Sequence, residues 1–179
     1  MHTRAEVESA IKRLGGELDA TYPDGALLVA VQRGGILVLA DLVRSVTGPC
    51  TVDFISVSDY VDGSGRARIV QDLDTDVFDR DVVLVEDIVD TGLTCAYVLE
   101  TLRGRGPRSV AVCALLDRRS RRIVPVPLRF VGFEVKDELL IGCGLGVAGR
   151  YRNLDLVAAA DPAVVRADRD AYVSQFYGP

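Results

Sequence analysis

Three short apolar runs, Ala26–Val31, Val82–Val85 and Val110–Leu116, constrain this chain more than any other feature. No polar residue breaks them, and turn-forming residues bound them. Runs of this kind suit parallel strands buried on both faces. Between them lie stretches with helical spacing, Gly35–Arg44 and from about Thr94 to Leu102. Strands alternating with helices predict right-handed crossovers and a doubly wound α/β sheet. Val52–Val57 reads as a further strand, and Leu128–Phe133 and Leu139–Ile141 as two weaker ones. Ahead of the first run, Thr3 and Glu6 fit a capping box, and Val7, Ile11 and Leu14 follow at helical spacing. Gly15-Gly16 is expected to interrupt that helix. Asp161-Pro162 is a helix start, with a terminal helix to about Phe176 that would pack through Val165, Tyr172 and Phe176. No repeat and no linker divides the 179 residues, so one domain spanning 1–179 is expected.

Composition removes several kinds of chemistry. His2 is the sole histidine, which excludes histidine-dependent triads, HExxH metal sites and histidine general bases. Catalysis must rest on carboxylates, hydroxyls, backbone amides and arginines. Cys50, Cys95, Cys113 and Cys143 are far apart and form no CxxC pair. They read as small buried residues in a reducing compartment, and a cytoplasmic location is expected. No apolar run approaches the roughly 18 residues of a membrane span. Arg4, Glu6 and Glu8 leave no room for the apolar core of a signal peptide. The net charge of -5 argues against a general nucleic-acid binder, which needs clustered cations. Arg118-Arg119 with Arg121-Arg122 is one basic cluster, and it reads as a solvated turn. Gly144-Leu145-Gly146-Val147-Ala148-Gly149 fits GxGxxG, but no complete βαβ unit with a suitably spaced acid follows.

The stretch Val82-Val83-Leu84-Val85-Glu86-Asp87-Ile88-Val89-Asp90-Thr91-Gly92-Leu93-Thr94 carries the chemistry. A buried strand runs into two adjacent acids, then an Asp-Thr-Gly-x-Thr turn, then a helix. Open α/β sheets bind ligands beyond the carboxyl ends of their strands. A helix N-terminus there offers free N–H groups and a positive dipole end, which suits phosphate. Gly92 allows close backbone approach, and Thr91 and Thr94 add hydroxyls. Glu86 and Asp87 would repel a phosphate, but suit sugar hydroxyls or a divalent cation such as Mg2+. A ribose 5-phosphate fits this pattern, with Asp90 near the reacting face of the sugar. Tyr60–Asp72, containing Asp62-Gly63-Ser64-Gly65-Arg66, reads as a loop without periodicity.

This stretch resembles the phosphoribosyl-pyrophosphate signature of type I phosphoribosyltransferases. Arg33-Gly34-Gly35 resembles that family's pyrophosphate loop, whose Gln32-Arg33 bond can be cis. Val52-Asp53-Phe54, Leu115-Leu116-Asp117, Ser120-Arg121-Arg122, Val131-Gly132-Phe133-Glu134 and Arg150-Tyr151-Arg152-Asn153-Leu154 resemble blocks of the hypoxanthine-guanine phosphoribosyltransferases. The likeness covers residues 5 to 155. It implies a parallel-sheet core flanked by helices, with a small hood over the base site from parts of 1–25 and 125–179. It implies transfer between phosphoribosyl pyrophosphate and a 6-oxopurine, with Mg2+, in a homodimer or homotetramer. By the same resemblance, Asp90, Thr91, Gly92, Leu93 and Thr94 hold the 5'-phosphate. Glu86 and Asp87 hold the ribose hydroxyls and the metal, and Asp90 handles the proton near the base N7. Arg33, Gly34 and Arg152 hold pyrophosphate, and Arg118, Leu139 and Leu140 lie at the base. The Tyr60–Asp72 loop would be the lid that keeps water off the cationic sugar.

The departures from the family gather in the base pocket. Arg118 stands where the family has lysine, Leu139 where it has a stacking aromatic, and Gly146 where it has aspartate. The lid's Ser-Tyr pair reads Asp59-Tyr60, and a terminal helix replaces a short strand. Two alternatives follow: a transferase for a modified purine such as a deazapurine, or a phosphoribosyl-pyrophosphate-binding regulator of RNA. Gly146→Asp is expected to improve 6-oxopurine use if the missing acid limits the reaction.

Overall fold

The computed structural model describes residues 1–58 and 68–178. The three apolar runs occupy adjacent places in one six-stranded sheet. They are the cores of β1 (Ala26–Gln32), β4 (Asp81–Val89) and β5 (Ser109–Asp117). With β2 (Cys50–Ser58), β3 (Arg68–Gln71) and β6 (Phe130–Glu134) the order is β3-β2-β1-β4-β5-β6. All neighbours are parallel except β2 and β3. The chain leaves β1 for β2 on one side and returns to β4 on the other. The carboxyl ends of β1 and β4 therefore form the crevice where such sheets bind ligands.

The strand periodicity divides the apolar residues between two layers. Leu28, Ala30, Val83, Val85, Cys113 and Leu115 pack under α1 (Arg4–Thr21) and α2 (Gly34–Ser45). Leu27, Val29, Val82, Leu84, Val112 and Ala114 pack under α3 (Leu93–Arg103). A third cluster closes the molecule beside the crevice. It joins the antiparallel pair β7 (Leu139–Ile141) and β8 (Ala158–Ala160), the buried Tyr151, and the helices α4 (Pro162–Ala167) and α5 (Val173–Tyr177). From the first 25 residues, His2 bridges to Val157 and Arg4 pairs with Asp155 at 3.1 Å, while α1 lies on the main sheet.

Four expectations change. Gly15-Gly16 does not interrupt the first helix, which the Thr3–Glu6 capping box starts and which continues to Thr21. A Cβ at Gly15 would stand 2.6 Å from the Ser45 carbonyl, so its bare backbone is what lets α1 lie on α2. The terminal helix is two short ones. Asp168 accepts from the Asp170 amide, and the Tyr151 hydroxyl donates to the Arg169 carbonyl, fixing a turn between them. Val165, Tyr172 and Phe176 do pack into the third cluster. The β4 strand runs past the acid pair to Val89. Within the supposed lid, Arg68–Gln71 is strand β3, while Asp59, Tyr60 and the Asp62–Arg66 segment lie outside the described residues. All four cysteines are free thiols; Cys95 and Cys113 are buried and their thiols are pushed up to about 12 by burial. Among the described residues no helix is long and apolar enough to cross a membrane.

Candidate active site

The crevice has a floor made largely of backbone. The β1–α2 turn, with a cis peptide bond at Gln32–Arg33, places Gly34 directly on β4. A Cβ at Gly34 would lie 1.6 Å from Asp87 Oδ2, and one at Gly144 would lie 2.4 Å from the Gly34 carbonyl. Only glycines permit these three segments to meet. Arg33, at the start of α2, stays exposed. Arg152 donates to the Gly144 carbonyl and stands close enough to Asp87 to favour its charge.

Glu86 and Asp87 are neighbours in sequence, but the period of two in a strand sends them to opposite faces. Asp87 faces α2, and Glu86 faces α3, close enough to Cys95 to raise its thiol. Burial pushes Glu86 well above the usual carboxylate range, and the charge of Asp87 adds to this. Burial raises Asp87 as well, against the Ile88 amide and the Arg152 guanidinium. The acid pair therefore offers two separate carboxylates rather than one joint cluster. No group of three or more metal-binding side chains occurs among the described residues.

Beyond β4 the chain turns through Asp90–Gly92. Gly92 caps α3 with a φ of +83°, a conformation that strongly favours glycine. A Cβ there would also meet the Val124 carbonyl at 2.6 Å. Gly92, as N-cap residue, has no side chain to bond the helix, so the first N–H groups of α3 have no helical acceptor. Thr91 Oγ1 accepts weakly from Leu93, at 3.4 Å, and Thr94 lies on the first turn.

Asp90 sits between this turn and the third cluster. Its Oδ2 accepts from Arg118 at 3.1 Å, and Arg121 stands 3.9 Å away. Its Oδ1 is buried without a hydrogen-bond partner. Arg118 is 7% exposed and also donates to the Glu138 carbonyl, while its Nε–H is likewise buried without an acceptor. A cleft of about 620 Å³ opens beside them, lined by Arg118, Arg121, Asp137, Leu139 and Asp161 among others. Leu139 faces this cleft; Leu140, one residue on, turns its side chain into the main core.

The structure thus brings Asp90, Arg118 and Leu139 to one end of the crevice, and Arg33, Gly34, Asp87 and Arg152 to the other. The Thr91–Thr94 turn lies beside Asp90. Sequence reasoning did not single out Arg121, Asp117 and Arg122 as parts of the site. No spacing rule announces an arginine buried at the end of a neighbouring strand, and only the rarity of buried arginine marks it once the fold is known. At Gly146 a Cβ would stand 2.3 Å from the Arg150 carbonyl and 2.7 Å from Arg152 Cγ, so no side chain fits there without displacing Arg152. The GxGxxG segment makes two tight bridged turns, Gly142–Leu145 and Val147–Arg150, and begins no helix.

The phosphoribosyl transferase domain family matches residues 3–146. Among curated proteins, the hypoxanthine phosphoribosyltransferase of Salmonella typhimurium is 43% identical over 163 residues, which are 88% of this chain and 92% of that one. The hypoxanthine-guanine phosphoribosyltransferase of Bacillus subtilis is 40% identical, over 89% and 91% of the two chains. The hypoxanthine phosphoribosyltransferase of Trypanosoma cruzi, solved as a K68R mutant with its product IMP, superposes with a TM-score of 0.88. It is 31% identical over 95% of this chain and 94% of that one. A crystal structure of the Staphylococcus aureus enzyme gives 0.87 at 30% identity, over 92% and 91%. A parallel sheet with its glycine-floored crevice, a phosphate-type turn at its centre and relatives of this closeness together make the chain a member of the phosphoribosyltransferase family, among the hypoxanthine-guanine phosphoribosyltransferases.

Proposed function

We propose that the chain converts a 6-oxopurine, hypoxanthine or guanine, and phosphoribosyl pyrophosphate to the nucleoside 5'-monophosphate and pyrophosphate. One observation carries the choice of base: Asp90 and Arg118, paired at 3.1 Å, each keep one buried polar atom without a partner, Asp90 Oδ1 and Arg118 Nε. One is an acceptor and the other a donor. A 6-oxopurine presents N7–H and O6 side by side, the complementary pair. Adenine places an amino donor where Arg118 also donates, and a buried mismatch of that kind is costly. Arginine in place of lysine leaves donation intact while changing its reach. Leu139 packs on the ring face by burial alone.

In the transfer, the purine N9 bonds to C1' as the bond from C1' to the pyrophosphate oxygen breaks. The sugar carries positive charge between these events. Asp90 takes the proton that the base sheds at N7. Thr91, Gly92, Leu93 and Thr94 hold the 5'-phosphate on the start of α3. Asp87 and Glu86 meet the ribose hydroxyls as hydrogen-bonding carboxyls from the two faces of β4. Arg33, the Gly34 amide and Arg152 hold the leaving pyrophosphate.

Asp87 also fits Mg2+. Its Oδ1 accepts from the Ile88 amide, and its Oδ2, against the bare backbone of Gly34, has no hydrogen bond among the described residues. Mg2+ is commonly held by one or two carboxylates plus substrate phosphates, which matches the donors here. When bound it would neutralise charge on the departing pyrophosphate. A homodimer or homotetramer working in the cytoplasm belongs to the same reading, and four free cysteines agree with a reducing compartment.

The test is product formation with phosphoribosyl pyrophosphate, Mg2+ and hypoxanthine, guanine, xanthine, adenine or 7-deazaguanine. Turnover of hypoxanthine or guanine above the others is expected. Preference for adenine, or for the deazapurine alone, would overturn the assignment.

A further inference from the structure

We propose that Arg122 is a positioning residue that aims the backbone amides of the phosphate turn; this role rests on the function proposed above. Arg122 is largely buried, with 15% side-chain exposure. Its Nε donates to the Asp90 carbonyl at 2.9 Å. One terminal nitrogen donates to the Val89 carbonyl at 3.0 Å and to the Asp117 carboxylate, and the other reaches the Val126 carbonyl at 3.5 Å. Asp117 ends β5 and is 2% exposed, so the fork is anchored in the sheet.

The residues that follow continue the strap. The amides of Ile123 and Val124 donate to the Thr91 carbonyl at 2.9 and 3.1 Å. The carbonyls of Val89, Asp90 and Thr91 are thus all drawn toward the 118–126 segment. In a trans peptide the carbonyl and the following N–H point in opposite directions. Holding the carbonyls of Asp90 and Thr91 on one side therefore turns the N–H groups of Thr91 and Gly92 to the other, toward the start of α3. Those groups are the donors a 5'-phosphate would take. The strap is tight, since a Cβ on Gly92 would come within 2.9 Å of Arg122 Cδ. Arg122 touches no substrate; it fixes donors before the phosphate arrives, which spares the ordering cost on binding.

Two variants test this. For the intact enzyme and for Arg122→Gln, the dissociation constants of inosine 5'-monophosphate, inosine and pyrophosphate are measured by titration calorimetry. Arg122→Gln is expected to weaken the monophosphate roughly ten- to a hundredfold. Inosine and pyrophosphate, which do not use the turn, should move by less than about twofold. Arg122→Lys keeps the charge but not the planar fork. It should recover much of the Tm lost in the glutamine variant without recovering monophosphate affinity, and it decides alone if the glutamine variant does not fold. Unchanged monophosphate affinity in a folded variant would overturn the role. So would a proportionate weakening of all three ligands, which marks a merely structural arginine. A wild-type protein that binds no monophosphate and turns over no 6-oxopurine would instead defeat the function on which the role rests.

Discussion

Asp90 has one carboxylate oxygen tied to Arg118 and the other buried without a partner, an arrangement that holds the group still and leaves an acceptor for the proton of a bound base. Asp90→Asn keeps the shape and loses the basicity. Its kcat should fall by about 10²–10⁴, the usual worth of a positioned base. The KM for phosphoribosyl pyrophosphate should stay within about threefold, and steady-state kinetics with guanine reads both. At Gly146 the structure reverses the sequence expectation. The side chain of Gly146→Asp would push on the Arg150 carbonyl and Arg152. The kcat/KM for guanine should fall rather than rise, with the KM for pyrophosphate increasing in the reverse reaction. The stretch from Val82 to Thr94 was legible in the sequence because strand, acids and phosphate turn are contiguous there. The Asp90–Arg118 pair spans 28 residues and its geometry was not legible, though the resemblance placed both residues at the base. The opposite facing of Glu86 and Asp87 follows from strand periodicity, but only once β4 is known to run beyond them to Val89.

At the level of elements, the helix and strand assignments succeeded where a period was clear. They failed where a contact between distant segments decides. Gly15 looked like a break in α1, yet it is the point of closest approach between α1 and Ser45 at the end of α2. Gly15→Val should cost about 1–3 kcal/mol in urea unfolding, since the two helices would have to move apart. The loop after β3 hangs on Asp53 of β2, which accepts from the Phe54 amide at 2.7 Å and the Thr75 amide at 2.8 Å. Burial works against its charge, but the amides of Phe54, Thr75 and Asp74 outweigh it and hold the carboxyl below its usual value. A depressed folded value adds stability above the unfolded pKa of about 4, and that stability disappears as pH falls through the folded value. Asp53→Asn should therefore be less stable than wild type by about 1–3 kcal/mol at pH 7. The gap should narrow in urea titrations at pH 3. The split of the terminal helix was illegible for a similar reason, because Tyr151 holds the Arg169 carbonyl from a different part of the chain.

Over the whole molecule, the arginine-rich 118–122 segment reads in the sequence as a solvated turn rather than an RNA patch. The fold commits its members elsewhere. Arg118 and Arg122 point inward, Arg119 pairs with Asp117, and Arg121 pairs with Asp137. With a net charge of -5 around them, no broad cationic face forms on these residues. Filter binding to single-stranded RNA should therefore show no retention at 150 mM salt, and no steep recovery as salt is lowered to 50 mM. The two ends of the crevice also differ in what they are made of. At the end proposed for pyrophosphate the meeting of Gly34, Asp87 and Gly144 leaves no volume for a new side chain, whereas the end proposed for the base is walled by Arg118 and Leu139. Heritable change can therefore accumulate at one end while the other stays fixed. A lineage carrying this architecture can explore new nucleobases by substitution at Leu139 while Arg118 keeps its hold on Asp90, so a directed library at 139 samples new specificities without first having to rebuild a catalyst.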